Sequence, residues 1–248
     1  MKGPGKKRID VLLAESGLAP SRERAQGLIL SGNVLVDDVP VTKPGQLVAE
    51  SAQVRIRGEE HPYVSRGGIK LAAALDAFAI RTEGRSAMDV GASTGGFTQV
   101  LLMRGVRKVF AVDVGHNQLD WSLRNDPRVV VREKVNARYL KFDDIGEKVG
   151  LIVMDVSFIS IDKLLEPLLA FAEAETDWVT LIKPQFEVGR EHVGKGGIVT
   201  SAEERARAIE RLTLHGESLG LRRRGLVESP ITGTQGNVEF LAHWQREK

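Results

Sequence analysis

Four ionisable residues lie far apart in the chain, each at the end of an apolar or helical run. Lys70 lies in Ser65-Arg66-Gly67-Gly68-Ile69-Lys70-Leu71, at the opening of a helical pattern. Asp155 closes an apolar run in Met154-Asp155-Val156-Ser157-Phe158, and Lys183 closes another in Leu181-Ile182-Lys183-Pro184-Gln185-Phe186-Glu187. Glu239 begins the last run, in Gly236-Asn237-Val238-Glu239-Phe240. Two amines and two carboxylates in one place do proton chemistry. An amine serves as a base only when its pKa falls well below about 10.4, and a second ammonium together with partial burial lowers it. The carboxylates orient the ammonium groups and keep the cluster from being a bare pair of like charges. Such a base suits a poor nucleophile that must shed its proton as it attacks, a ribose 2′-hydroxyl among them. Lys183 is the expected base. Taken singly, a lysine before a proline or an acid at a sheet edge is ordinary surface; the reading rests on the four together.

A second set of residues could hold a nucleoside. The run Asp89-Val90-Gly91-Ala92-Ser93-Thr94-Gly95-Gly96-Phe97 follows an apolar strand pattern. Its glycines allow a close backbone approach and a sharp entry into a helix. The spacing is D-x-G-x-x-x-G-G, not the G-x-G-x-x-G whose helix N-terminus grips a pyrophosphate. Asp113 ends the next strand about 20 residues on, where an acid takes two ribose hydroxyls. Asn136, in Asn136-Ala137-Arg138, follows the third strand, a place suited to contacting a base. The competing reading of the glycines is a tight strand-to-helix turn and nothing more.

The elements that must position these residues alternate. Apolar runs at 86–90, 109–112, 129–131, 151–154 and 179–182 have the Val/Ile content of buried parallel strands. Amphipathic segments at 69–79, 97–104, 117–124, 162–174 and 202–218 separate them. The pattern is an α/β, doubly wound, Rossmann-like sheet, whose strand C-termini converge on one crevice. Two final strands, 220–227 and 238–244, follow with no helix between them, so an antiparallel last pair is expected. Phe158, beside Asp155, reads either as core or as a ring that holds a flipped nucleotide. The segment 187–197, with Gly189, Gly194, Gly196 and Gly197, reads as a loop that closes over a ligand or as a long connection.

Ahead of this lies a smaller α+β unit. Ile9, Leu12, Leu13 and Leu18 fall at helical spacing with Gly17 as a stop, and Ser21 caps a second helix carrying Ala25, Leu28 and Ile29. Short strands at 34–36, 39–41 and 54–56 follow, with turns at Asp37-Asp38 and Lys43-Pro44-Gly45. Residues 1–58 hold nine Lys/Arg against six Asp/Glu, whereas the whole chain carries only +2. A basic domain at 1–58, a linker at 59–65 and a catalytic domain at 66–248 are therefore expected. The chain has no cysteine, which excludes disulfides, thiolate nucleophiles and cysteine-held zinc. His116, His192 and His215 show no metal-ligand spacing, so no metal is expected. No apolar stretch reaches the roughly 20 residues a membrane span needs, and the basic start lacks a signal-peptide core; a cytoplasmic protein is expected.

Two resemblances sharpen this. The run R-I-D-V-L-L-x-x-x-G-L-A-x-S-R-E-R-A-Q-x-L-I-x-x-G-x-V-x-V-D, within residues 6–58, resembles the RNA-binding domain named after a small-subunit ribosomal protein, the alpha-L motif. That resemblance implies RNA phosphate contacts from Lys7, Arg8, Arg22 and Arg24. The D-x-G-x-x-x-G-G loop resembles methyltransferase motif one, and the Lys–Asp–Lys–Glu order resembles the RrmJ/FtsJ group of RNA 2′-O-methyltransferases. With S-R-G-G-x-K-L, A-V-D-V-G-x-x-Q-L, V-S-F-I-S, K-P-Q-F-E-V-G and G-N-V-E, nearly the whole chain is similar to the TlyA family, historically filed as haemolysin A. The family implies S-adenosylmethionine as cofactor, bound by Asp89, Gly91, Ala92, Ser93, Thr94, Gly95, Gly96, Phe97, Asp113 and Asn136. It implies ribosomal RNA or ribosomal subunits as partner, with cytidine 2′-O-methylation at Lys70, Asp155, Lys183 and Glu239. One departure is His61-Pro62-Tyr63-Val64, where some members carry Arg-x-Trp-Val. The other readings are a base methyltransferase, a non-catalytic RNA-binding or assembly factor, and a membrane-lytic protein. Carbon-five pyrimidine methylation needs the missing cysteine, and exocyclic-amine methylation usually shows D/N-P-P-Y/F where this chain has Asp155-Val156-Ser157-Phe158.

Overall fold

The computed structural model describes residues 5–19, 21–30, 32–56, 61–233 and 236–246. Lys2 of the basic arm, Arg57 and the linker residues Glu59 and Glu60 lie outside them. The chain divides into two compact units, Met1–Val64 and Ser65–Lys248.

The first unit runs β1 (Lys6–Arg8), α1 (Ile9–Glu15), α2 (Arg22–Leu30), β2 (Val34–Val36), β3 (Val39–Val41), β4 (Leu47–Ala49) and β5 (Val54–Ile56). β2 lies between β3 and β5, antiparallel to both, and Asp37 and Asp38 make its hairpin turn with φ of 48° and 65°. That is the backbone a two-residue hairpin loop demands. Ile9, Leu13, Ala25, Ile29, Val34, Val41 and Val48 form the core. The sequence reading missed β1 and β4, which pair antiparallel with Lys7 opposite Val48. Three residues carry too little periodicity to show, and a Lys-Lys-Arg run reads as a solvated arm.

The second unit contains α3 (Gly67–Ala77), β6 (Ser86–Val90), α4 (Gly96–Met103), β7 (Lys108–Val112), α5 (Trp121–Arg124), β8 (Val129–Arg132) and α6 (Phe142–Ile145). It continues with β9 (Val149–Met154), α7 (Asp162–Leu168), β10 (Ala172–Ile182), α8 (Pro184–Glu187), α9 (Ala202–Ser218), β11 (Leu221–Glu228) and β12 (Phe240–Arg246). The seven strands lie in the order β11-β12-β10-β9-β6-β7-β8. β10 through β8 are parallel, and β12 runs against both its neighbours. This is the doubly wound sheet with the expected reversed strand. Its core gathers Met88, Val90, Phe110, Ile152, Met154, Leu165, Trp178, Ile182, Leu212 and Trp244.

Three expectations are corrected. The helix placed at 162–174 stops at Leu168, passes through a 3-10 turn at Leu169–Phe171, and gives way to β10. The exposed Glu173-Ala174-Glu175 lies at an irregularity in the β9 pairing, between Ala172 and Asp177, and so reads as helix surface. The helix placed at 117–124 is only Trp121–Arg124, capped by the Asp120 side chain accepting from Ser122 N at 2.9 Å. Glu239 precedes β12 rather than beginning it.

Candidate active site

The sheet register decides which residues meet. Thr180 of β10 pairs with Met154 of β9, and Ile182 of β10 pairs with Phe240 of β12. Asp155 and Lys183 leave the C-terminal ends of two parallel strands, and Glu239 enters the N-terminal end of the reversed one. All three therefore stand at one rim, on adjacent strands. Val90 of β6 pairs with Met154, which brings the Gly91 loop alongside.

The four ionisable residues form two pairs. Lys70, in the first turn of α3 and 8% exposed, places Nζ 2.5 Å from Oε2 of Glu239, which is 3% exposed. A Cβ on Gly233 would lie 2.4 Å from Glu239 Oε1, so glycine is needed there to admit the carboxylate. Lys183 Nζ lies 2.7 Å from Asp155 Oδ1. The same ammonium donates to Ser157 Oγ at 2.8 Å. The pairs share α3, because the Cβ position of Gly67, one turn before Lys70, is 3.7 Å from Asp155 Oδ2. Ser157 was not singled out from the sequence; its place two residues after Asp155 was the available signal.

The glycine loop joins β6 to α4. Gly91 has φ 84°, and a Cβ on it would lie 2.5 Å from the Asp155 carbonyl oxygen. At Gly95 a Cβ would meet Leu123, and at Gly96 it would meet Ser65 Oγ. Protein atoms therefore already require these glycines. Ala92 and Phe97 are buried, while Ser93 and Thr94 are exposed, Ser93 with φ 48° and Thr94 accepting from Asp120 N through its carbonyl. Asp89 is fully buried; Thr98 Oγ1 donates to its Oδ2 at 2.7 Å and its Oδ1 has no partner. Burial pushes the Asp89 carboxyl up to about 7, against the Thr98 hydrogen bond and with help from the neighbouring charges of Asp155 and Asp113. Asp113 accepts from Ser93 N at 2.8 Å and Gly115 N at 2.6 Å, so it braces the loop it faces. Asn136 is exposed and caps the turn at Ala137–Tyr139, its Oδ1 accepting from Arg138 N at 3.1 Å. The loop thus gathers the carboxyl groups of Asp89, Asp113 and Asp155.

Phe158 is 92% exposed with φ 66°, which rules out the core reading. A bulky residue at positive φ is strained. Its ring lies 5.2 Å from that of Phe186.

In the first unit, Arg8 and Arg22 converge on the buried Asp10. Arg8 Nε and Nη2 donate at 3.0 and 2.9 Å and Arg22 Nε at 3.0 Å, while Gln26 adds a fourth bond. The Arg8 bonds above all hold the Asp10 carboxyl far below the usual carboxylate range. Both guanidiniums remain about half exposed. Lys7 turns to Glu15 at 2.6 Å, and Arg24 donates to the Val64 carbonyl at 3.1 Å. His215 Nε2 lies 3.1 Å from the Asp162 carbonyl. Among the described residues no group of three His, Cys, Asp or Glu could hold a metal, and no helix is long and apolar enough to cross a membrane.

Comparison with known proteins adds four findings. Residues 63–246 match the family described as FtsJ-like methyltransferase, and residues 7–54 match the S4 domain. The chain is 47% identical, over 96% of its length and 89% of the relative, to a "16S/23S rRNA (cytidine-2'-O)-methyltransferase TlyA" of Mycobacterium tuberculosis. A solved structure assigned as a hemolysin, from Streptococcus thermophilus, superimposes with TM-score 0.78 at 40% identity, covering 99% of this chain and 90% of that one. At 14% identity and TM-score 0.52, covering 74% of this chain and 80% of the other, an N-methyltransferase from Burkholderia thailandensis shares the fold.

Proposed function

The chain belongs to the TlyA family of FtsJ-like methyltransferases, and on that footing we propose that it methylates the ribose 2′-hydroxyl of a cytidine in ribosomal RNA. S-adenosylmethionine supplies the methyl group, carried on a sulfonium. The residues present fit that donor: Asp113 and Asp155 set carboxylates beside the glycine loop, and Asp89 keeps a buried oxygen without a partner. In this reading Asp89, Gly91, Ala92, Ser93, Thr94, Gly95, Gly96 and Phe97 form the donor pocket, Asp113 takes the ribose hydroxyls, and Asn136 borders the adenine.

The observation that carries the reading is the juxtaposition of the Lys70–Glu239 and Lys183–Asp155 pairs at one strand rim. Lys183, once its ammonium has released a proton to solvent, takes the hydroxyl proton as the methyl transfers. Asp155 and Ser157 fix its Nζ, and Lys70, held by Glu239, holds the opposite side of the site. Alignment of hydroxyl and methyl does much of the rest. Phe158, with Phe186 behind it, stacks on the base of the target nucleotide. Residues 1–58 dock RNA through Lys7, Arg8, Arg22 and Arg24, residues 59–65 link, and residues 66–248 carry the transfer. Such a substrate implies action in the cytoplasm.

The test is transfer of labelled methyl to ribosomes lacking their own modification, followed by alkaline hydrolysis. A 2′-O-methyl blocks cleavage at the modified nucleotide. Label at an alkali-sensitive position would make this a base methyltransferase instead.

A further inference from the structure

A buried carboxylate stands next to the site and has no part in the chemistry above. Glu187 closes α8 and is 7% exposed. It takes hydrogen bonds from Ser160 Oγ, from Ile161 N at 2.9 Å and from Arg211 Nη2 at 3.1 Å. These donors come from different parts of the fold. Ser160 and Ile161 lie on the segment leaving β9, which carries Asp155, Ser157 and Phe158. Glu187 lies on the segment leaving β10, which carries Lys183 and Phe186. Arg211 belongs to α9, and it donates as well to the Glu187 carbonyl at 3.1 Å and to Asp162 Oδ2 at 2.5 Å. One carboxylate therefore ties two strand exits together and braces both against a third element.

Burying a charge is a costly way to join two loops. Desolvation raises the Glu187 carboxyl, opposed by the hydrogen bonds from Ser160 and Ile161 and the charge of Arg211. Apolar packing would hold the loops at less cost, whereas directional bonds fix their spacing. What they hold is a reacting group on each side, and on one side a strained ring that is nearly all in solvent. We propose that Glu187 is a positioning residue for methyl transfer: through Ser160, Ile161 and Arg211 it sets Lys183 against Asp155 and Phe158 against Phe186. This rests on the function proposed above.

Misplacement by about 1 Å can cost roughly a hundredfold in rate. For Glu187→Gln and Glu187→Ala, kcat on unmodified ribosomal RNA should fall tenfold or more. Kd for S-adenosylmethionine should stay within twofold, and KM for the RNA should rise by less than kcat falls, all measured well below each variant's Tm. Ser160→Ala should lower the same parameter less, and Ser160→Ala added to Glu187→Gln should lower it no further. A kcat within twofold of the parent in both Glu187 variants, or a loss confined to KM or Tm, would overturn the inference. Lys183→Ala run in parallel separates the two ideas. Loss there with full rate in Glu187→Gln removes this inference alone, and full rate in Lys183→Ala removes the assigned base together with it.

Discussion

Lys70 Nζ and Glu239 Oε2 meet at 2.5 Å across 169 residues of sequence, fastening α3 to the entry of β12 in a nearly dry environment. Removing either partner leaves a buried charge alone, which costs about 3–5 kcal/mol. Lys70→Ala or Glu239→Ala should therefore unfold more easily and also lose about 10²- to 10³-fold in kcat. Lys70→Met combined with Glu239→Met separates the effects. Denaturant titration should find stability near the parent, since apolar replacement of a buried pair is often neutral, while activity stays lost. Recovery of activity in the double variant would reduce the pair to a structural role.

Phe158 spends backbone strain on an exposed ring. Phe158→Ala should lower kcat/KM for RNA about 5- to 100-fold, the range expected for one lost base stack, and leave Tm and cofactor Kd unchanged. Phe158→Gly should in addition gain roughly 1 kcal/mol of stability by relieving the positive φ. A Tm drop in Phe158→Ala would show that the ring packs after all.

Asp89 keeps its proton in the fold up to about 7, whereas the ordinary value is 3.8. Between those values the unfolded chain has released a proton that the folded chain retains, so this residue's contribution to stability declines as pH rises through that window and levels off above it. The difference in unfolding free energy between the parent and Asp89→Asn should fall from pH 4 to pH 7 and then stay flat. An unchanged difference across that range would mean that Asp89 is ionised in the fold.

Arg22 keeps about half of its side chain in solvent while Nε is fixed on Asp10. If its free nitrogens meet a phosphate, Arg22→Ala should weaken RNA binding and make the logarithmic salt dependence shallower by roughly 0.7 to 0.9. An unaltered slope would place the RNA elsewhere on this unit.

Much of this was legible in the sequence because it depends on strand ends. Apolar runs of three to five residues announced β6, β7, β8 and β9, and α/β topology alone then brought Asp155, Lys183 and the glycine loop to one rim. The reversed β12 followed from the missing helix between the last two strands. Groups whose partners arrive through tertiary packing were not legible. Asp10 looks like an ordinary first-turn acid of α1, yet it is buried under side chains from β1 and α2. Glu187 sits in what reads as a glycine-rich connection, and its partners lie 24 to 27 residues away. The glycines themselves read as room for a ligand, while the nearest atoms they admit are the Asp155 carbonyl, Leu123 and Ser65.

The assignment of Lys183 as the base meets its most direct test in single-turnover methyl transfer by Lys183→Ala, with RNA and S-adenosylmethionine both saturating. Transfer should be abolished while both ligands bind with near-parent Kd. Transfer at the parent rate would remove Lys183 from the reaction and the two-pair site with it.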